Sequence, residues 1–229
     1  MRTIGLLGGM SWVSSAEYYR LLNERVRDEL GEYHSARCVL YSVDFAEVER
    51  LQVADRWADA ATLLGQAARS VQAAGADLLL LCTNTMHRVA EEIQAAVDIP
   101  LLHLADATAR AVTAAGLTKV GLLGTAYVME QDYYRDRLRR HGFEVIVPPA
   151  ADRATVHGVI FDELVKGRFS AGSRAACGAV IDRLAQAGAQ GVILGCTEIE
   201  LLIGAEDSSL PVFPTTRLHV EAAVRAALA

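Results

Sequence analysis

The chain repeats itself, and that repeat restricts the fold more than any other feature. Ile4-Gly5-Leu6-Leu7-Gly8 returns 116 residues later as Val120-Gly121-Leu122-Leu123-Gly124. Tyr18-Tyr19-Arg20 returns 115 residues on as Tyr133-Tyr134-Arg135, and Ala74-Gly75-Ala76 returns 113 residues on as Ala187-Gly188-Ala189. An apolar run ending in Cys82-Thr83 returns 114 residues on, ending in Cys196-Thr197. Four matches in one order and at nearly one spacing indicate an internal duplication, so whatever fold is built must be built twice. No linker rich in Pro, Gly or Ser separates the halves, which are therefore expected to pack tightly, with Pro100 marking the crossing.

Within each half, short apolar runs alternate with longer amphipathic stretches. Strands are expected at Thr3–Gly8, Cys38–Val43, Leu78–Cys82, Leu101–His103, Lys119–Gly124, Glu144–Val147, Gly191–Cys196 and Val212–Phe213. Helical patterns fill the gaps, at Ser14–Leu30, Asp55–Ala74, Thr85–Val97, Asp106–Ala115, Met129–Arg140, Thr155–Lys166, Ala171–Ala187 and Thr216–Leu228. Continuously apolar strands separated by helices are the mark of parallel sheet covered on both faces. The right-handed crossover rule leaves doubly wound topologies. The fold class is thus α/β, with two similar flavodoxin- or Rossmann-like domains related by pseudo-twofold symmetry. Residues 1–99 with 207–229 form the first and residues 100–206 the second, the last helix returning to cover the first half.

Composition removes several functions. A net charge of −6 leaves no basic footprint for nucleic acid or an anionic membrane. No apolar run approaches the ~18 residues of a membrane span. The opening Met1–Met10 is interrupted by Gly5, Gly8 and Gly9 and lacks a clear cleavage site, so it reads as a first strand and tight turn in a cytoplasmic protein. Four cysteines, Cys38, Cys82, Cys177 and Cys196, show no metal-ligand spacing and are expected as free thiols. Lys119 and Lys166 are the only lysines, and Lys119 opens a strand, which argues against a pyridoxal phosphate Schiff base.

Ligands of open parallel sheets bind beyond the carboxyl ends of the strands. Each half gathers three features there. A glycine-containing turn follows the first strand, as Gly8-Gly9-Met10-Ser11 and as Gly124-Thr125-Ala126. A thiol ends a later strand, and polar residues open the next helix, as Thr83-Asn84-Thr85 and as Thr197-Glu198. Helix N-termini favour a carboxylate and lower a thiol pKa, and backbone N–H groups of the two turns are expected to hold the substrate carboxylate. Two thiols brought to one cleft from opposite sides suit the inversion of a stereocentre, one removing a proton and the other delivering one. Cys38 and Cys177 read as small core residues. Tyr18, Tyr19, Tyr133 and Tyr134 read as core at the helix–sheet interface, and His87 as a surface or core histidine. The glycine spacing does not make a nucleotide loop.

These stretches resemble the aspartate/glutamate racemase family: Gly5-Leu6-Leu7-Gly8-Gly9-Met10-Ser11-Trp12, Ser42-Val43-Asp44-Phe45, Leu81-Cys82-Thr83-Asn84-Thr85-Met86-His87 and Gly195-Cys196-Thr197-Glu198-Ile199. The resemblance runs through essentially the whole chain. It implies an isomerase acting on a small amino-acid substrate, with an active site between two α/β domains, no cofactor and no metal, and a homodimer. Cys82 and Cys196 carry over as the catalytic pair. Met10, Ser11, Gln52, Thr83, Asn84, Thr85, Thr125, Thr197 and Glu198 carry over as substrate contacts. Relatives specific for aspartate are expected to clamp its side-chain carboxylate with an arginine and a lysine. Arg50 and Lys166 stand one or two positions out of that register, which points to a broader or neutral substrate. A decarboxylase or cis–trans isomerase on the same scaffold, and a catalytically silent amino-acid-binding protein, are the competing expectations.

Overall fold

In the computed structural model, which describes residues 1–229, eight strands form two parallel sheets of four. β1 (Ile4–Gly8), β2 (Cys38–Ser42), β3 (Leu78–Leu81) and β4 (Leu101–Leu102) lie in the order β2-β1-β3-β4. β5 (Lys119–Gly124), β6 (Glu144–Ile146), β7 (Val192–Gly195) and β8 (Val212–Pro214) lie in the order β6-β5-β7-β8. Both are the same α/β winding, with the chain stepping one way from the first strand and the other way from the third. The run of buried side chains along β1, β3, β5 and β7 explains why these strands are continuously apolar.

Eleven α-helices connect them: α1 (Trp12–Leu30), α2 (Phe45–Val53), α3 (Trp57–Ala73), α4 (Ala90–Ala95), α5 (Leu104–Ala114), α6 (Ala126–Glu130), α7 (Asp132–Arg139), α8 (Ala150–Gly158), α9 (Ala171–Gln186), α10 (Thr197–Leu202) and α11 (Thr215–Leu228). Gly5 and Gly121 have a packing reason. A Cβ on Gly5 would collide with Val71 of α3, and one on Gly121 would lie 2.8 Å from Leu184 of α9. The repeated glycine lets the equivalent helix lie close on each sheet.

The chain divides into Met1–Leu104 with His219–Ala229, and Ala105–Leu218. The crossings fall later than the expected residues 99 and 206. β4 pairs with β3, so Leu101 and Leu102 stay with the first sheet. β8 pairs with β7, so Val212–Pro214 stay with the second. In the first unit, Ile4, Leu6, Leu78 and Leu80 pack with Tyr18, Leu22 and Val26 of α1 and with Val220, Ala223 and Val224 of α11. In the second, Leu123, Val192 and Leu194 pack with Cys177, Val180, Ile181 and Leu184 of α9.

All eight expected strands form, and several helices differ. α2 was not anticipated, and α10 was expected only through its opening residues Thr197-Glu198. The stretch from Thr85 begins as a 3-10 helix, Thr85–Val89, and only then becomes α4. The Thr83 carbonyl bonds to the His87 Nδ1–H at 2.6 Å rather than to a helical backbone N–H. The Met129–Arg140 stretch is broken at Gln131, whose backbone is extended. The Thr155–Lys166 stretch is three pieces: the end of α8, a π-helical turn Val159–Glu163 and a 3-10 turn Leu164–Lys166. Of the four tyrosines expected in the core, Tyr18 and Tyr134 are fully buried, Tyr133 is half-buried and Tyr19 is exposed. Cys177 is a core residue, whereas Cys38, on edge strand β2, is half-buried.

Candidate active site

The strand order reverses between β1 and β3 in the first unit and between β5 and β7 in the second. In doubly wound sheets this switch point, at the carboxyl ends, is where ligands sit. Both thiols lie there. The Cys82 N–H donates to the Leu7 carbonyl at 2.9 Å, directly beyond β3, and Cys196 follows β7 and caps α10.

In the first unit the turn after β1 is shaped by Gly9, at φ +93°, where any Cβ would strike the Val43 backbone. The Gly9 N–H donates to Ser15 Oγ at 2.7 Å, and Ser15 Oγ donates to the Ser11 carbonyl at 3.0 Å. Ser11 caps α1, its hydroxyl accepting the Ser14 N–H at 3.3 Å. Met10, Ser11, Thr83, Asn84 and Thr85 are all buried. Gln52 is buried on α2, with its Nε2 donating to Met86 Sδ at 2.9 Å. His87 is a core histidine, its Nδ1–H bonded to the Thr83 carbonyl and its Nε2 accepting the Leu104 N–H at 3.2 Å. His87, His103 and His219 cluster, with ring centroids 4.4 Å apart for the first two. Tyr18 and the Leu102 carbonyl occupy the two nitrogens of His219.

In the second unit Thr125 caps α6, its Oγ1 accepting the Val128 N–H at 3.3 Å. Thr197 and Glu198 are buried, and Cys196 Sγ donates to Glu198 Oε2 at 3.1 Å. Behind them, Thr216 Oγ1 bonds Thr197 Oγ1 at 3.2 Å. Glu200 Oε1 accepts the Thr216 N–H at 2.7 Å and the Thr215 hydroxyl at 2.9 Å. This support from Thr215, Thr216 and Glu200 was missed in the sequence, because it joins residues 15 to 19 positions apart across a loop.

Dipole-lowered thiols were expected, and the structure differs. Burial pushes both Cys82 and Cys196 up, and the Glu198 carboxylate pushes Cys196 further. Backbone N–H groups of Ile199 and Glu198 act on Cys196 in the opposite sense. The turn N–H groups expected to meet a substrate carboxylate are partly engaged already: Gly9 by Ser15, and Ala126 by His157 Nδ1 at 3.2 Å.

The two thiols are not at equivalent strand positions. At the strand entrances, Asp77 N–H donates to the Thr3 carbonyl and Gln190 N–H to the Lys119 carbonyl, which makes Asp77 and Gln190 counterparts. Leu7 then faces Leu81, and Leu123 faces Leu194. The residue after Leu81 is Cys82, and the residue after Leu194 is Gly195, so Cys196 stands one place further out. Strand side chains alternate between faces. Cys82 accordingly joins the core on the α1 and α11 face of its sheet, and Cys196 the core on the α9 face of its own. Cys82 is 0% exposed and Cys196 6%.

Arg50 and Lys166 are both exposed, the first on α2 and the second in the 3-10 turn after α8. No group of three His, Cys, Asp or Glu side chains is arranged to hold a metal ion. No helix is long and apolar enough to cross a membrane.

Fold and site together define a duplicated α/β protein with one buried thiol per half at the ligand end of its central strands. Known proteins share the fold. Residues 7–223 match the model of the Asp/Glu/hydantoin racemase family. A provisionally designated Asp/Glu racemase from Yersinia pestis is 52% identical, with a TM-score of 0.93 and 100% of each chain covered. An aspartate racemase homologue from Pyrococcus horikoshii is 31% identical, with a TM-score of 0.88 and 100% of each chain covered. The aspartate racemase of Picrophilus torridus is 20% identical, with a TM-score of 0.80 over 99% of this chain and 94% of that one, and shares the fold. This chain belongs to the Asp/Glu/hydantoin racemase family.

Proposed function

We propose that this protein racemises amino acids without a cofactor, Cys82 and Cys196 addressing opposite faces of one α-carbon. The observation that carries the reading is the thiol at the switch point of each unit. One thiolate takes the α-proton, so the C–H bond breaks and an S–H bond forms. The opposite thiol then gives its proton to the other face of the carbanion, and its own S–H bond breaks. The enzyme is left with the ionised and protonated thiols exchanged, ready for the reverse direction.

The unequal surroundings of the thiols support distinct routes to the thiolate. Cys196 can pass its proton to Glu198 Oε2, 3.1 Å away. The resulting thiolate is then held by the backbone N–H groups of Glu198 and Ile199. Cys82 has a carbonyl beside it, Leu80 O at 3.8 Å, and becomes charged by giving its proton to the carbanion, the thiolate so formed being favoured by the substrate ammonium. Thr83, Asn84, Thr85, Thr197, Met10, Ser11, Gln52 and Thr125 are proposed to surround the amino acid.

The substrate is proposed to be an amino acid with an uncharged side chain. Arg50 and Lys166, the cations a side-chain carboxylate would need, are solvent-exposed, while the inward polar residue of α2 is the neutral Gln52. A panel of amino acids in deuterated water tests the whole reading through exchange of the α-proton. Inversion of uncharged amino acids, with enzyme that has been dialysed and treated with chelator, is the expected result. Activity restored only by pyridoxal phosphate or a metal ion would overturn the cofactor-free mechanism. Tight binding of one enantiomer without exchange would instead identify a silent binding protein. Small amino acids are expected to be handled by a homodimer in the cytoplasm, which sedimentation and cell fractionation would check.

A further inference from the structure

The second unit holds a histidine that neither the duplicated motifs nor the thiol chemistry uses. His157 is the eighth residue of the nine-residue α8, and Gln52 is the eighth residue of the nine-residue α2. Each helix follows the edge strand of its sheet, so the two side chains are counterparts. Gln52 reaches Met86, in the turn beyond Cys82. His157 reaches the turn beyond β5, where its Nδ1 accepts the Ala126 N–H at 3.2 Å.

That contact sets the tautomer. A nitrogen that accepts a backbone N–H carries no proton, so the proton of the neutral ring is on Nε2. Nδ1 is the only ring nitrogen of His157 with a hydrogen-bond partner in the protein. Phe161 packs against the ring at a 46° tilt, with centroids 4.6 Å apart, and Tyr127 meets it edge-on at 6.5 Å. The imidazole is thus held beside the turn after β5 by one hydrogen bond and two ring contacts, with one donor left over. The π-helical turn Val159–Glu163 begins two residues later, an irregularity frequent at functional sites. Glu130 on α6 and Asp162 in that turn both favour protonation, and Arg153 on α8 offsets Glu130 through a 2.9 Å ion pair. Burial outweighs them and holds the ring below its usual range.

We propose that His157 binds the substrate side chain, its Nε2–H donating to an uncharged acceptor such as a hydroxyl or amide oxygen, while Nδ1 holds the Thr125–Ala126 turn. This inference rests on the racemase reading above. A neutral donor rewards an acceptor without supplying charge, which separates polar uncharged side chains from hydrocarbon ones of the same shape.

The test compares isosteric substrates: serine with 2-aminobutyrate, and asparagine with leucine. His157→Phe keeps a ring but loses both nitrogens. It is expected to lower kcat/KM for serine and asparagine about tenfold more than for their hydrocarbon partners, the size of one neutral hydrogen bond. His157→Gln, which keeps a donor and an acceptor, is expected to recover most of that selectivity. An equal loss on both members of each pair would mean the histidine only holds the turn and would overturn the proposal. Nitrogen NMR of the wild-type imidazole gives a readout independent of turnover and of variant folding. Nε2 should be protonated and should shift when serine is added. A proton on Nδ1, or no shift with any amino acid, would also overturn the proposal. Absence of α-proton exchange with a shifting Nε2 would sink the racemase reading and leave the binding role standing. Exchange with a silent Nε2 would do the reverse.

Discussion

The two thiols share a motif and differ in what surrounds it. After Cys82 the chain reads Thr83-Asn84-Thr85-Met86, and after Cys196 it reads Thr197-Glu198-Ile199-Glu200. An amide in the first unit stands where the second has the carboxylate on its thiol, and a buried thioether stands where the second has Glu200. Duplication supplied the strand end twice, with the thiols one residue out of step, while the proton-handling group belongs to one copy alone. A fold argument therefore locates both cysteines, but only local chemistry distinguishes their roles.

The strongest way to break this comparison is to remove each thiol in turn. Cys82→Ala and Cys196→Ala are each expected to cost at least roughly 1000-fold in racemisation, since proton transfer by a positioned group contributes 10²–10⁴-fold. Each variant should retain slow deuterium exchange on one enantiomer, and the two should choose opposite ones. Proton NMR of both enantiomers over long incubations would show it. Two variants that attack the same enantiomer would refute opposed thiols.

Glu198→Gln sharpens the contrast. It is expected to lower kcat/KM roughly 10- to 100-fold, equally in both directions because the equilibrium constant of racemisation is one. Exchange without inversion should nevertheless fall for the enantiomer served by Cys196 and hold for the other. Equal losses in exchange of both enantiomers would assign Glu198 to the substrate rather than to its neighbouring thiol.

A smaller effect concerns stability. Burial raises the Glu200 carboxyl from its ordinary value of 4.5 to about 8. Between those values the folded protein holds a proton that the unfolded chain releases, so this group's contribution falls as pH rises through the window. Glu200→Gln removes the titration. Its Tm relative to wild type should therefore rise from pH 5 to pH 8.5, at about 2–4 °C per kcal/mol for a chain of this size. A constant difference across that range would contradict the buried carboxyl. The smallest change is expected from Arg50→Ala and Lys166→Ala, each within about threefold of wild type on an uncharged amino acid, because exposed charges outside a site contribute little. A loss above roughly 100-fold would mean that an acidic side chain is bound.

Much of this was legible in the sequence, for identifiable reasons. The central strands β1, β3, β5 and β7 declared themselves because both faces of each are buried, and the placing of the ligand at the carboxyl ends followed from the parallel topology. α2 was missed although Asp44, which caps it, stands three residues before Glu47, a recognisable start signal. Its nine residues are too few for a periodic pattern to stand out. The thiol environment could not be read, since burial is a property of the finished core. His157 and Ala126 lie 31 residues apart, and nothing in the periodicity of α8 announces their contact. The offset between the thiols was visible throughout: the entrance motif repeats at 113 residues and the Cys-Thr motif at 114.

That single residue has an evolutionary meaning. Gly195 occupies the ladder place of Cys82, and a Cβ there would lie 3.2 Å from Val128 of α6 and 3.0 Å from the Leu123 carbonyl. A freshly duplicated gene encodes two identical halves, which present the same group twice in the same attitude. Such a pair suits a ligand with symmetry of its own, and an amino acid, with four different substituents on one carbon, has none. An offset of one residue at the exit of a strand gives the copies unlike handles, each in the core on a different face of its sheet, while the ladders still match up to Leu81 and Leu194.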